Sequence, residues 1–207
     1  MGHKFADIMF TNQVQAIQKQ QGSFDNYHAW SEYEDFNYLI DDTIRQFLAQ
    51  RDSFYMASVN QDDWPYVQHR GGPKGFMKVI DEHTLGFADL SGNRQYVSAG
   101  NFKHNDKVSL FFMDYARRRR LKILGRVTSV SLAETDLIEQ LQIKGHGAKV
   151  ERGFIIKVEA YDWNCPKFIT QRYDTEQVQD LMARLVEENN ALKKTIEALK
   201  VSPKNNQ

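Results

Sequence analysis

Residues 107–130 read KVSLFFMDYARRRRLKILGRVTSV. Two β-rich runs, KVSLFFMDY and RLKILGRVTSV, are joined by ARRR. That link is too short for the crossover a parallel pair requires, so the two runs are expected to lie antiparallel. Shorter runs with the same character flank them: SFYMASV (53–59), YVQHR (66–70), FMKVI (76–80), LGFA (85–88) and GFIIKVEAYDW (153–163). Turn-forming stretches such as NQDDWP and DEHT separate several of these runs. No alternating strand–helix–strand pattern occurs, which argues against a doubly wound fold. A mainly antiparallel sheet follows, and closing it into a barrel would remove its exposed edges.

Helical patterns surround the strands. Thr11 is placed to cap NQVQAIQKQQG, and Gly22 to end it. In FNYLIDDTIRQFLAQ (36–50), Leu39, Ile40, Ile44, Phe47 and Leu48 share one helical face. Short helices are expected in NRQYVSAGNFKH (93–104) and in SLAETDLIEQLQ (131–142), the latter capped by Ser131 or Thr135. Residues 175–200 differ: Val178, Leu185, Leu192 and Leu199 recur every seven residues as d positions, with Met182, Asn189 and Ile196 at a. Leucine at d with one asparagine at a favours a two-stranded parallel coiled coil, with Glu188 and Lys193 placed to pair between chains. The same stripe also suits packing against the chain's own domain. The expected organisation is an N-terminal helical segment over 1–50, a barrel over 51–174 and a C-terminal helix over 175–200.

The 207 residues carry 27 basic and 27 acidic side chains and are 41% apolar. The balance provides for one core and argues against a general nucleic-acid or membrane-surface binder. Cys165 is the only cysteine, so no internal disulfide can form. With no apolar run of membrane-spanning length and a poor N-terminal leader pattern, the expected location is cytoplasmic. RGGPKG (70–75) does not fit a nucleoside-triphosphate loop. YVSAG lacks the first glycine of a nucleophile elbow. The histidines lack metal-ligand spacing. No hydrolase or metal site is expected.

Three cationic spots fall at strand ends. They are His69-Arg70 with its glycines and Lys78, then Arg94 within SGNRQ at the expected helix start, then the run 117–122. Strand alternation would put Arg118, Arg120 and Lys122 on one face, with Arg119 and Leu121 on the other. A helix start offers N–H groups to a phosphate, and glycines let backbone N–H groups approach an anion closely. Cations from three strand ends meeting at one rim suit a phosphorylated cofactor.

FYMASVNQDDWPYVQHRGGPKGFMKVIDEHTLGFADLSGNRQYVSAGN (54–101), VSLFFMDYARRRRLKILGRV (108–127) and VEAYDWNCPKFITQRY (158–173) together resemble the pyridoxamine 5′-phosphate oxidase-like flavin-binding proteins. The opening FADIMFTNQVQAIQKQQGS (5–23) is similar to one bacterial subgroup. The resemblance implies a mainly β (α+β) fold, a six-stranded antiparallel split β-barrel with flanking helices, here followed by the coiled-coil helix. It implies a homodimer with FMN between the subunits. Gly75, Phe76 and Met77 would face the polar edge of the flavin ring through their backbone, and Lys78 would contact FMN. Arg94 matches an arginine on the phosphate, with Asn93, Gln95 and Ser98 beside it. Arg120, Trp163, Asn164 and Cys165 complete the expected set, and His69 and Arg70 flank the cofactor. The chain lacks the Arg-x-His element that holds the phosphate of vitamin B6 substrates. The expectation is an FMN-dependent oxidoreductase acting on an unidentified small molecule, with no catalytic side chain assigned. The alternative is a flavin- or heme-binding module without turnover, in which His69 would be the candidate heme ligand; a deazaflavin in place of FMN also remains open.

Overall fold

A computed structural model describes residues 3–29, 36–143, 145, 147–163 and 166–201. Asn164 and Cys165, named above as candidate contacts, lie outside the described residues. The chain divides into two compact units, one of residues 1–114 with 119–167 and the other of residues 115–118 with 168–207.

The first unit is built on a sheet of β1 (Ser53–Val59), β2 (Pro65–Gly71), β3 (Lys78–Val79), β4 (Thr84–Leu90), β5 (Lys107–Asp114), β6 (Arg119–Val130) and β7 (Val150–Trp163). All pairs are antiparallel, in the order β2-β1-β5-β6-β7-β4-β3. The sheet has one strand more than the six that the resemblance implied; of the expected run FMKVI, only Lys78 and Val79 pair with β4, as the two-residue β3. On β5, Val108, Leu110 and Phe112 face inward, and each sits beside its β6 partner, including Phe112 opposite Leu121. Phe54 lies 5.0 Å from Phe112, 5.3 Å from Phe87 and 5.6 Å from Phe76, ring centre to ring centre. An aromatic centre therefore joins β1, β4 and β5, which are not all neighbours in the sheet. Burial of several such rings supplies most of the driving force.

The flanking helices follow local capping chemistry. In α2 (Asn12–Gln20) the Thr11 hydroxyl accepts from the Val14 N–H, and Gly22 follows at φ 71°. The second helical pattern shortens to α4 (Asp42–Ala49), because the Asp41 carboxylate accepts from the Ile44 N–H and starts the helix there. Leu39 and Ile40 thus precede the helix, while Ile44, Phe47 and Leu48 are buried from it. Upstream, α1 (Lys4–Met9) is tied to the sheet by Asn37, 3% exposed, whose amide donates to the Tyr161 carbonyl and whose side-chain oxygen accepts from the Lys4 N–H. α3 (Phe24–His28) and α6 (Thr135–Leu141) complete this shell with α5 (Val97–Asn101). The α6 N-cap is Glu134 rather than Ser131 or Thr135, and the Glu134 carboxylate accepts from the Ser131 N–H.

The second unit contains α7 (Thr175–Val201). Arg118 belongs to it, in a turn with φ 52°, and so is not on the β6 face with Arg120 and Lys122. Among the described residues, no helix is long and apolar enough to cross a membrane.

Candidate cofactor site

Alternation along β2 turns Tyr66, Gln68 and Arg70 inward and leaves Pro65, Val67 and His69 exposed. Arg70 reaches across to β4, where its Nη1 lies 2.6 Å from Asp89 Oδ1. The Asp89 carboxylate, 6% exposed, also faces Arg152 of β7 at 3.2 Å. A bulge in the β4–β7 pairing falls between Asp89 and Leu90. Such irregularities re-aim side chains and recur next to functional sites.

The chain then runs through Gly92–Tyr96 beside this pair. Arg94 and Tyr96 both hold positive φ, at 59° and 54°. Two non-glycine residues in the left-handed region so close together store strain, which gathers at functional loops. Arg94 Nε donates to the Tyr96 hydroxyl at 3.2 Å, and that hydroxyl donates to Glu151 Oε1 at 3.2 Å. The Arg152 guanidinium lies 5.1 Å from the Tyr96 ring centre. Beneath, the buried Ser98 hydroxyl donates to the Gln68 side-chain oxygen at 3.0 Å. Gln95 turns back through its N–H to the Asn93 side chain at 3.2 Å.

The result is a polar cavity of roughly 210 Å³ lined by Gln68, Arg70, Asp89, Asn93, Arg94, Tyr96 and Glu151, among others. Of the residues singled out in the sequence, it brings together Arg70, Asn93 and Arg94, with Ser98 acting through Gln68. In the lining the Arg70 and Arg94 guanidinium groups are balanced by the Asp89 and Glu151 carboxylates, and Arg152, outside the lining, pairs with both acids. Arg70 Nε is buried without a hydrogen-bond partner, while Arg152 Nε is held by the Asp89 carboxylate at 3.2 Å. Burial pushes the Asp89 carboxyl up, with Arg70 and Arg152 pulling it back down. The Ser91 hydroxyl, followed by Tyr96 and Arg152, holds Glu151 below the usual carboxylate range. The unpartnered Arg70 Nε and the exposed Arg94 guanidinium at the cavity suit an anion of phosphate type.

The helix-start argument for Arg94 does not hold. α5 begins at Val97, spans one turn, and has left-handed Tyr96 before it, so the cationic loop rather than a helix dipole defines the site. The glycine loop also differs from its sequence reading. The Gly72 N–H donates to the Asp52 carbonyl and the Gly75 N–H to the Arg51 carbonyl, while the Phe76 N–H donates to Pro73. These donors are engaged within the chain. A Cβ at Gly72 would stand 2.7 Å from Phe76 Cγ, and Gly75 holds φ 76° against the Ala49 carbonyl. Those glycines let Phe76 and Met77, each 2% exposed, enter the core. Lys78 donates to the Gly75 carbonyl at 3.0 Å.

The remaining expected residues lie elsewhere in the sheet unit. His69 is exposed on the outer face, its ring 5.6 Å from Tyr55. Arg120 lies opposite Met113 and 5.8 Å from the Phe111 ring. Trp163 packs edge-on to Phe47 at 4.9 Å, with Arg119 4.5 Å above its ring. Sequence reasoning missed Gln68, Asp89, Tyr96, Glu151 and Arg152. The available signal was the single acid in the apolar run LGFADL, since a buried carboxylate demands a cationic partner.

The family model described as Pyridoxamine 5'-phosphate oxidase matches residues 40–159, more than half of the chain. The chain belongs to the pyridoxamine 5′-phosphate oxidase family. That stretch contains the whole polar cavity and all but the last strand end, and it is narrower than the 5–173 span of the sequence resemblance. The family association is with FMN-binding oxidoreductases. Comparison with curated proteins gives no match. Among solved structures, HupZ of Group A Streptococcus is similar at 14% identity, covering 64% of this chain and 99% of that one, with a TM-score of 0.46. An FMN-binding protein from Syntrophomonas wolfei is 9% identical over 74% of this chain and 98% of its own, TM-score 0.49. General Stress Protein 26 from Bacillus anthracis is 10% identical over 57% and 89%, TM-score 0.44.

Proposed function

We propose that this member of the pyridoxamine 5′-phosphate oxidase family binds FMN and is an oxidoreductase acting on a small molecule. The observation that carries the reading is the polar cavity that joins Arg70, Asn93 and Arg94, where the Arg70 Nε is buried without a hydrogen-bond partner and Arg94 is exposed. Arg94, exposed at the cavity and steered by Tyr96, takes the phosphate of the cofactor; Asn93 and Gln68 hold the adjacent polar chain. Asp89 keeps Arg70 and Arg152 in place rather than meeting the anion itself.

At roughly 210 Å³ the cavity is smaller than the roughly 300–1,000 Å³ of pockets that enclose whole ligands. The ring system therefore extends beyond it. The outer face of β1, β2, β5 and β6 supports a second subunit there. Val67 is 61% and Tyr55 41% exposed, with half-buried Phe111, Met113 and Leu124 on the same face. The proposed assembly is a homodimer with FMN at that seam. His69 and Arg120 sit on this face and Lys78 on β3, where they reach the cofactor only in the dimer. When bound, the flavin supplies hydride or electron transfer. The chain's part is to bind, orient and shield it.

An absorption spectrum of the purified protein, followed by FMN titration, tests the reading. Flavin bands that bleach with a nicotinamide or organic reductant are expected. No affinity for FMN would overturn it. Flavin bound tightly without turnover across a broad reductant and acceptor screen would remove the oxidoreductase part. A heme Soret band in place of flavin would replace the cofactor and make His69 the ligand to substitute.

A further inference from the structure

We propose that α7 is an interaction surface for a second copy of this chain, pairing with its counterpart in parallel and in register. The helix runs 27 residues, about 40 Å at 1.5 Å per residue. Its stripe of Val178, Met182, Leu185, Leu192, Ile196 and Leu199 is between 46% and 68% exposed. Leu181 and Val186, exposed at 56% and 54%, widen the stripe on either side of the first two heptads. A row this apolar is stable in water only when covered.

Charge and polarity select the occupant. With leucines at d, Asn189 falls at a, where two asparagines meet across a parallel seam and fix its register. Glu188 at g and Lys193 at the next e then face each other between chains, once on each side of the two-fold axis. Leu181 and Val186 form the corresponding g–e pair one heptad earlier, and both are apolar. An antiparallel pair centred on Asn189 would instead bring the two Glu188 carboxylates together. Helical stability in proteins comes mainly from packing of an apolar face, which pairing supplies to α7. The interface is separate from the FMN reading and survives its failure.

The test uses the full chain with Cys165→Ser, carrying Leu192→Cys in one variant and Glu187→Cys, on the opposite side of the helix, in another. Parallel pairing places the two substituted d positions within disulfide reach. Mild oxidation is expected to convert the Leu192→Cys protein to covalent dimer at least tenfold faster than the Glu187→Cys protein. Equal rates would overturn the proposal. Glu188→Lys is expected to slow cross-linking in the Leu192→Cys background, and added Lys193→Glu to restore it. A failure of the double substitution to restore the rate would overturn the parallel register. Bound flavin, read in the same samples by absorbance, separates this outcome from that of the cofactor site.

Discussion

Arg70 on β2 and Asp89 on β4 form an ion pair at 2.6 Å, although β1, β5, β6 and β7 lie between their strands in hydrogen-bonding order. The sheet therefore curls until its two ends meet through side chains. Phe54 and Phe87 repeat the contact in apolar form, 5.3 Å apart. The cavity opens where these ends approach.

Asp89→Ala takes from Arg70 and Arg152 the carboxylate oxygens that hold them in a largely buried setting. Stability is expected to fall by roughly 3–5 kcal/mol, the usual cost of removing one partner from a buried pair. Replacing the set by apolar residues, with Arg70→Met, Asp89→Leu and Arg152→Met together, is expected to cost less. Urea denaturation of the variants checks both statements. A single-variant loss below the triple-variant loss would refute the assignment.

The two acids of the site have opposite pH signatures. Burial raises the folded-state pKa of Asp89, so the folded chain keeps that proton where the unfolded chain has released it. Its contribution is greatest below the unfolded value and declines as pH rises through the folded value. Glu151 is lowered by the Ser91 hydroxyl and Tyr96, so its contribution is present above the unfolded value and is lost as pH falls through the folded one. Carbon-detected NMR titration should give an Asp89 midpoint above 3.8 and a Glu151 midpoint below 4.5. Glu151→Gln should weaken the acid-side loss of stability.

Arg94→Ala removes the exposed guanidinium at the cavity. FMN affinity is expected to fall by about 1.5–3 kcal/mol, the loss of a charge-assisted phosphate contact. Arg118→Ala, a change in the turn 115–118, is expected to leave the affinity unchanged. Fluorescence titration distinguishes them, and equal losses would remove Arg94 from the phosphate.

Gly125 and Gly153 both sit in tight strand surroundings. A Cβ on Gly125 would stand 2.6 Å from the Lys157 carbonyl oxygen, at the β6 bulge, where backbone cannot yield cheaply. A Cβ on Gly153 would meet the Leu141 methyl end at 2.6 Å, which can rotate away. Gly125→Ala is expected to cost roughly 1–3 kcal/mol as overpacking and Gly153→Ala less. Thermal unfolding of the two variants decides it.

The sequence alone determined the elements whose signals are local. The long β5–β6 pair, the cap at Thr11 and the seven-residue stripe of α7 each depend on residues a few positions apart, and each was legible. Helix bounds slipped where a cap competed with periodicity, as at Asp41, whose carboxylate set the start of α4 two residues after Ile40. Arg70 and Arg94 stood out as cations, but the carboxylates that hold and tune them did not. Only tertiary structure joined Arg70 to Asp89, Arg152 and Glu151, because the curl of a seven-stranded sheet brings together residues some eighty positions apart. It also decided what the glycines of RGGPKG do. Their backbone donors bind the chain's own carbonyls at Arg51 and Asp52, and their missing side chains make room for Phe76, an outcome that depends on neighbours no local pattern names.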